Sequence, residues 1–284
     1  MTLPPPSRPR KPNKPLAPPA LAQVEAWQGR LYVAAEGASL RAEDRRKASL
    51  VHALLAEIAR AASRISKASE LVVVDAAAGK AYVGLLAAQL VMGERGGRVI
   101  AIEREPARVA SCQAAAARLE GARAAVECRC GLVAERDLWP GEPSIVVALH
   151  ACGSASDDVI EAAVATRARA LLLVPCCTGA SVASEPRALR AAEDLGFPRH
   201  AAVRRTFVES WVAAERTLRL EAAGYETEVV PLVAPTVTPY NLLFRARRVG
   251  EPGRMKQAAL RWARMQNAAG SIDDPAAPPL SRST

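Results

Sequence analysis

Aromatic residues make up only 4% of the 284-residue chain, too few for a nucleic-acid partner held mainly by stacking bases on aromatic platforms. Neither a CxxC pair nor an HExxH segment occurs, so no structural zinc site and no metal is expected. No apolar run reaches the ~18 residues that cross a bilayer, and no membrane partner is expected. The opening stretch MTLPPPSRPRKPNK is basic and proline-rich and lacks the apolar core of a secretory signal. The expectation is a soluble, cytoplasmic protein. In that setting the six cysteines (Cys112, Cys128, Cys130, Cys152, Cys176 and Cys177) read as free thiols.

Cations are plentiful. The formal charge is +9 with an isoelectric point near 9.6, and it sits at the ends. Residues 1–20 carry Arg8, Arg10, Lys11 and Lys14 without an acid, and residues 240–264 carry seven cations against Glu251. The body between them is nearly neutral. Such ends either grip RNA phosphates or form a solvated tail and a solvated helix face. No DNA-specific motif is present.

Eight of the 21 prolines fall in residues 1–20, which read as a disordered tail. Residues 21–68 form an N-terminal helical segment. Its stronger half places Val51, Leu54, Leu55, Ile58, Ala62 and Ile65 at helical spacing, with His52 beside that stripe as a surface residue. Short apolar runs then alternate with helices: LVVVDA (71–76), RVIAIE (98–103), AAVECRC (124–130), SIVVALH (144–150) and ALLLVPC (170–176). The segment from Gly79 to about Met92 reads as helical, and Pro106 opens a helix that Gly121 closes. Runs buried on both faces and separated by helices predict a doubly wound, Rossmann-like, mostly parallel α/β sheet. Residues 178–206 read as irregular, followed by a helix to about Ala223. The segments 225–233 and 240–248 lie too close for a crossover and predict a terminal antiparallel hairpin. The expected main domain therefore spans 69–250, followed by a basic helix over 251–268 and a flexible tail over 269–284.

A ligand of such a sheet binds at the carboxyl ends of the strands, where the winding reverses. The first strand leaves as Asp75-Ala76-Ala77-Ala78-Gly79-Lys80-Ala81-Tyr82. This small-residue turn lets backbone approach a ligand, but it matches neither a phosphate P-loop nor the full GxGxxG pattern. Glu103 ends the second strand, where an acid accepts hydrogen bonds from both hydroxyls of a ribose. Asp75 is placed to hold the amino group of an amino-acid moiety. Each acid also has a plainer reading: Asp75 as a loop cap, Glu103 as an exposed strand-end carboxylate.

Taken together, the parallel strands, the acidic small-residue loop, the strand-end acid and the terminal hairpin resemble the class I S-adenosylmethionine-dependent methyltransferases. Two motifs sharpen the resemblance. His150-Ala-Cys152-Gly153-Ser-Ala-Ser156-Asp157 follows the fourth strand, and Pro175-Cys176-Cys177 follows the fifth. The pair looks like a subfamily that includes eukaryotic tRNA acceptor-stem 2′-O-methyltransferases and related methyltransferase-like proteins. TPYNLLFRARR (238–248) resembles that group's last strand. The resemblance implies S-adenosylmethionine as cofactor, held around Asp75, Ala76, Ala77, Gly79, Tyr82, Glu103, Gly131 and His150.

The sequence departs from the family pattern at three points. Alanines 77 and 81 stand where glycines are usual, and the methyl of Ala77 is tolerable if the turn has negative φ. Cys130-Gly131 replaces an acid near the adenine, and Thr178 follows the cysteine pair where relatives carry an aromatic residue or histidine. No zinc-finger module resembling that of the tRNA enzymes accompanies the domain. His150 is the candidate proton acceptor for a poor nucleophile such as a ribose hydroxyl, its alternative role being a loop brace. Cys152, Cys176 and Cys177 read as small buried packing residues.

Overall fold

The structure is a computed structural model that describes residues 16–32, 40–175, 182–238 and 241–268. Helices α1 (Leu21–Tyr32) and α2 (Ala42–Ser63) precede the sheet. Strands β1 (Val72–Ala76), β2 (Gly97–Glu103), β3 (Ala124–Cys130), β4 (Ile145–Leu149) and β5 (Ala170–Val174) alternate with α3 (Tyr82–Leu86), α4 (Pro106–Ala116) and α5 (Ala155–Ala165). After β5 come α6 (Glu185–Asp194), α7 (Ala201–Ala222), β6 (Tyr225–Pro231), β7 (Leu242–Arg248) and α8 (Pro252–Ala268). The seven strands order as β3-β2-β1-β4-β5-β7-β6. β1 to β5 are parallel, and β7 pairs antiparallel with both β5 and β6. This is the doubly wound, Rossmann-like sheet with the terminal hairpin that the sequence predicts.

Alternation along each strand divides the core. Val73, Val99, Val147 and Leu172 face the layer of α1 and α2. Val74, Ile100, Val146 and Leu173 face α5 and α7. Period-two side chains on a sheet covered on both faces leave no polar position in β1 except Asp75 near its end. Chain order reverses between β1 and β4, so the crevice opens above their carboxyl ends.

Several expectations are corrected. Residues 178–206 are not irregular throughout, because α6 and the first turn of α7 occupy 185–194 and 201–206. Pro186 lies in the first turn of α6, where a proline loses no hydrogen bond. The end of the presumed loose tail docks on α2: Leu16 N–H donates to Ser63 Oγ, and Pro19 is buried. His52 Nε2 lies 3.1 Å from the Pro19 carbonyl oxygen there, half-buried rather than on the surface. Residues 1–15 and 269–284, Cys176, Cys177 and Thr178 lie outside the described residues.

The free-thiol reading is also corrected. Cys112 and Cys128 form a disulfide, their Cα atoms 6.6 Å apart. The buried face of α4 (Val109, Cys112 and Ala115) packs on the sheet and points Cys112 at β3. Cys152 is disulfide-bonded as well and exposed, so it is not a buried packing residue. Cys130 is a free, exposed thiol.

Candidate functional site

The carboxyl ends of β1, β2, β3 and β4 carry the residues singled out in the sequence. Asp75 is buried, and its Oδ2 accepts the Gly84 N–H at 2.8 Å. α3 can approach this closely because residue 84 is glycine: a Cβ there would meet Asp75 Oδ2 and Val99 Cγ1, each at 3.0 Å. Burial pushes the Asp75 carboxyl up to about 7, against the lowering effect of the Gly84 bond, and the nearby Glu103 charge adds to the rise. Ala76 ends β1 and is buried.

The loop that follows is folded tightly. Ala78 N–H donates to the Ile102 carbonyl and Ala81 N–H to that of Ala78. Ala77 has φ +53°, Gly79 +59° and Ala81 +59°. The condition of negative φ, under which the Ala77 methyl is tolerable, is therefore not met. Both alanines hold the left-handed conformation that glycine adopts freely, at a cost of roughly 1 kcal/mol each. This run of left-handed turns also delays α3 to Tyr82, so residues 79–81 are not helical. The helix then passes into a π-helical turn over Ala87–Met92.

Glu103 is neither exposed nor idle. Its Oε2 accepts the Gly79 N–H at 2.7 Å and its Oε1 accepts the Glu105 N–H at 3.0 Å. One carboxylate thus ties the β1 loop to the end of β2. Each oxygen keeps a second lone pair, so two ligand hydroxyls can still be accepted. Gly131 N–H donates to the Glu103 carbonyl, which fixes the end of β3 beside that carboxylate.

His150 leaves β4 with φ +63°, and its N–H donates to the Val174 carbonyl at the end of β5. Burial and the Lys47 charge both lower the imidazole pKa, which keeps the ring neutral over a wider range of pH. The rest of the HxCGxxSD segment is architectural. Ser156 Oγ donates to the Ala151 carbonyl at 2.5 Å. Asp157 accepts both Nε and Nη2 of Arg216, a guanidinium 2% exposed, and also Arg219 Nη1. Arg216 reaches the Gly153 carbonyl too, so α7 clamps the loop that carries His150.

Three residues escaped the sequence reading. Tyr32, at the end of α1, donates its hydroxyl to the Lys80 carbonyl at 2.7 Å and packs its ring 4.0 Å from that of Tyr82. Lys47 of α2 sits 3.5 Å over the Tyr82 ring, and burial followed by the Lys80 charge lowers its ammonium to about 8. Arg216 is the third. All three reach the site from helices distant in sequence, and only the fold brings them there. The structure gathers Asp75, Gly79, Tyr82, Glu103 and Gly131 around the β1 loop. His150 lies across the switch point on β4, linked to that group through the charge of Lys47.

The donor set suits one kind of ligand. A buried carboxyl with a raised pKa awaits a cation, and a strand-end carboxylate beside backbone amides awaits a diol. A molecule that joins an ammonium group to a ribose meets both.

Residues 46–183 match a family model described as a methyltransferase domain. No curated protein matches the chain. Among solved structures, magnesium protoporphyrin IX methyltransferase from Synechocystis PCC 6803 with bound SAH shares 14% identity, with a TM-score of 0.46 over 79% of this chain and 93% of that one. Precorrin-6y C5,15-methyltransferase from Geobacter metallireducens GS-15 shares 19% identity, with a TM-score of 0.41 over 75% and 95%. Aeropyrum pernix fibrillarin with natively bound S-adenosyl-L-methionine shares 12%, with a TM-score of 0.40 over 62% and 66%. The stretch similar to that methyltransferase domain carries Asp75, Glu103 and His150.

Proposed function

We propose that the chain transfers a methyl group from S-adenosylmethionine to an RNA acceptor. The observation that carries the methyl-transfer part is the pair of buried acids, Asp75 and Glu103, at the carboxyl ends of the neighbouring strands β1 and β2. Asp75 would hold the amino group of the methionine moiety and Glu103 the ribose hydroxyls. Lys47, half-buried above Tyr82, would meet the carboxylate. When bound, the cofactor supplies an electrophilic methyl on a sulfonium. The chain's own work is then to orient an acceptor in line with that methyl, exclude water and take a proton. His150, kept neutral by burial and by Lys47, is the residue for the proton.

The RNA part rests on charge. Lys256, Arg261 and Arg264 of α8 lie exposed, with no ion pair among the described residues, whereas Arg254 is held by Glu251 and Glu226. These cations and the basic residues 1–20 would grip the phosphate backbone without reading its sequence. A filter-binding salt titration tests this. Removing residues 1–20 and neutralising Lys256, Arg261 and Arg264 should weaken RNA binding and flatten the log–log salt slope by about 0.7–0.9 for each phosphate no longer neutralised. Transfer of a labelled methyl to RNA completes the test. A parent chain that ignores RNA at low salt, or a variant of unchanged slope, points instead to a protein or small-molecule acceptor.

One observation favours a second reading, a noncatalytic RNA- or protein-binding module on this scaffold. Ala77 and Ala81 put methyl groups on the loop that would approach the cofactor, and both Glu103 oxygens already accept loop amides. Cofactor titration separates the two readings.

A further inference from the structure

A cavity of about 520 Å³ lies at the opposite edge of the sheet, under the carboxyl-terminal half of α2. Its walls are the last turns of α2, the turns that enter β4 and β5, and the end of β7. The sequence makes this space. Leu243, Arg245 and Arg247 alternate onto the α2 face of β7, and Arg247 is registered opposite Ala170 of β5. Ala61 of α2 and Ala170 are too small to fill the gap between helix and sheet.

Six arginines line the cavity: Arg60, Arg64, Arg169, Arg245, Arg247 and Arg248. Glu57 and Glu142 are the acids in its wall. Glu57 is engaged by Arg245 and Arg60, and Glu142 by Arg167. Arg247 is taken by Glu226. Arg64, Arg169 and Arg248 have no ion pair among the described residues. Three guanidiniums without a direct ion pair among the described residues thus line one concave space of ligand size. Their planar forks match phosphate oxygens better than any other anion-binding side chain does.

We propose that this arginine-lined cavity between α2 and β7 binds the phosphate groups of a multiply charged phosphate ester, as a second site remote from the methyl-transfer edge. β1 is five residues long, so the two edges are separated by roughly 17 Å at ~3.3 Å per residue. One ligand can therefore occupy the cavity while the cofactor crevice stays open. The site takes either a free nucleoside polyphosphate or the backbone of a nucleic acid, which share this chemistry.

Titration calorimetry of the full chain with sodium tripolyphosphate at low ionic strength tests the proposal, and its outcome does not depend on whether the cofactor binds. The parent should bind saturably. Arg64→Ala/Arg169→Ala removes two exposed side chains that leave no acid unpaired, and should weaken binding at least about tenfold. Arg261→Ala/Arg264→Ala on α8 should leave it within about twofold, since neither side chain reaches the cavity. Displacement of tripolyphosphate by ATP alone identifies a free nucleotide. Displacement by a single-stranded RNA oligomer as well identifies the phosphodiester backbone. A parent that does not bind, a cavity variant that binds like the parent, an α8 variant that loses as much, or displacement by neither competitor overturns the proposal.

Discussion

The two edges of this sheet handle charge in opposite ways. At the carboxyl edge the side-chain charge is buried and acidic, and backbone amides answer it: Gly84 for Asp75, Gly79 and Glu105 for Glu103. At the amino edge the charge is basic and half-exposed, and other side chains answer it: Glu57, Glu226 and Glu228 hold Arg245 and Arg247. Backbone donors are fixed in place by the strands, so a site built from them is preorganised and tolerates little change. A site built from arginines on the last turns of a helix and a strand can repack around its ligand. Preorganisation suits the positioning that methyl transfer requires, whereas an arginine cluster suits charge recognition.

The largest expected effect tests how firmly the carboxyl edge is anchored. Asp157→Ala strips the carboxylate from Arg216, which is 2% exposed. An orphaned buried guanidinium should cost about 3–5 kcal/mol, read as a fall in the urea midpoint. Next comes His150→Ala, which should lower single-turnover methyl transfer by ~10²-fold while cofactor affinity changes little. A normal rate would leave His150 as a loop brace. Glu103→Ala removes the acceptor of the Gly79 and Glu105 amides along with the ribose anchor. Cofactor affinity should fall at least tenfold, about 1.5–3 kcal/mol. Unchanged affinity would mean that the ribose lies elsewhere.

The smallest effect runs the other way. Ala77→Gly relieves a left-handed alanine on the loop surface and should raise stability by roughly 1 kcal/mol, less the extra freedom glycine gains in the unfolded chain. A destabilised variant would show that the Ala77 methyl is needed where it packs against the core beneath the loop.

Much of this architecture was legible in the sequence because it depends on local burial. LVVVDA and RVIAIE are apolar on both faces, and only a covered parallel strand explains such runs. The acids at their ends followed from topology. What could not be read depends on tertiary contact. Cys112 and Cys128 are brought together by the docking of α4 on β3. Lys47 and Tyr32 reach the loop from helices that precede the sheet. The helix over Glu185–Asp194 was obscured because its proline and arginines resemble a loop composition, although proline in a first turn is a helix start. Alanine at positive φ runs against local preference, and here the hydrogen bonds of the β1 loop override it.

The central claim is that the crevice beside Asp75 and Glu103 binds S-adenosylmethionine, and calorimetric titration with that cofactor and its demethylated product tests it directly. Asp75 is raised to about 7 in the free protein, so ionising it to meet an ammonium releases a proton. Affinity should therefore climb between pH 5.5 and 7, by up to about tenfold per pH unit. Asp75→Asn should bind weakly and lose that slope. Saturable binding of both compounds with this pH dependence is the expected result; no heat of binding at either end of the range would contradict the account.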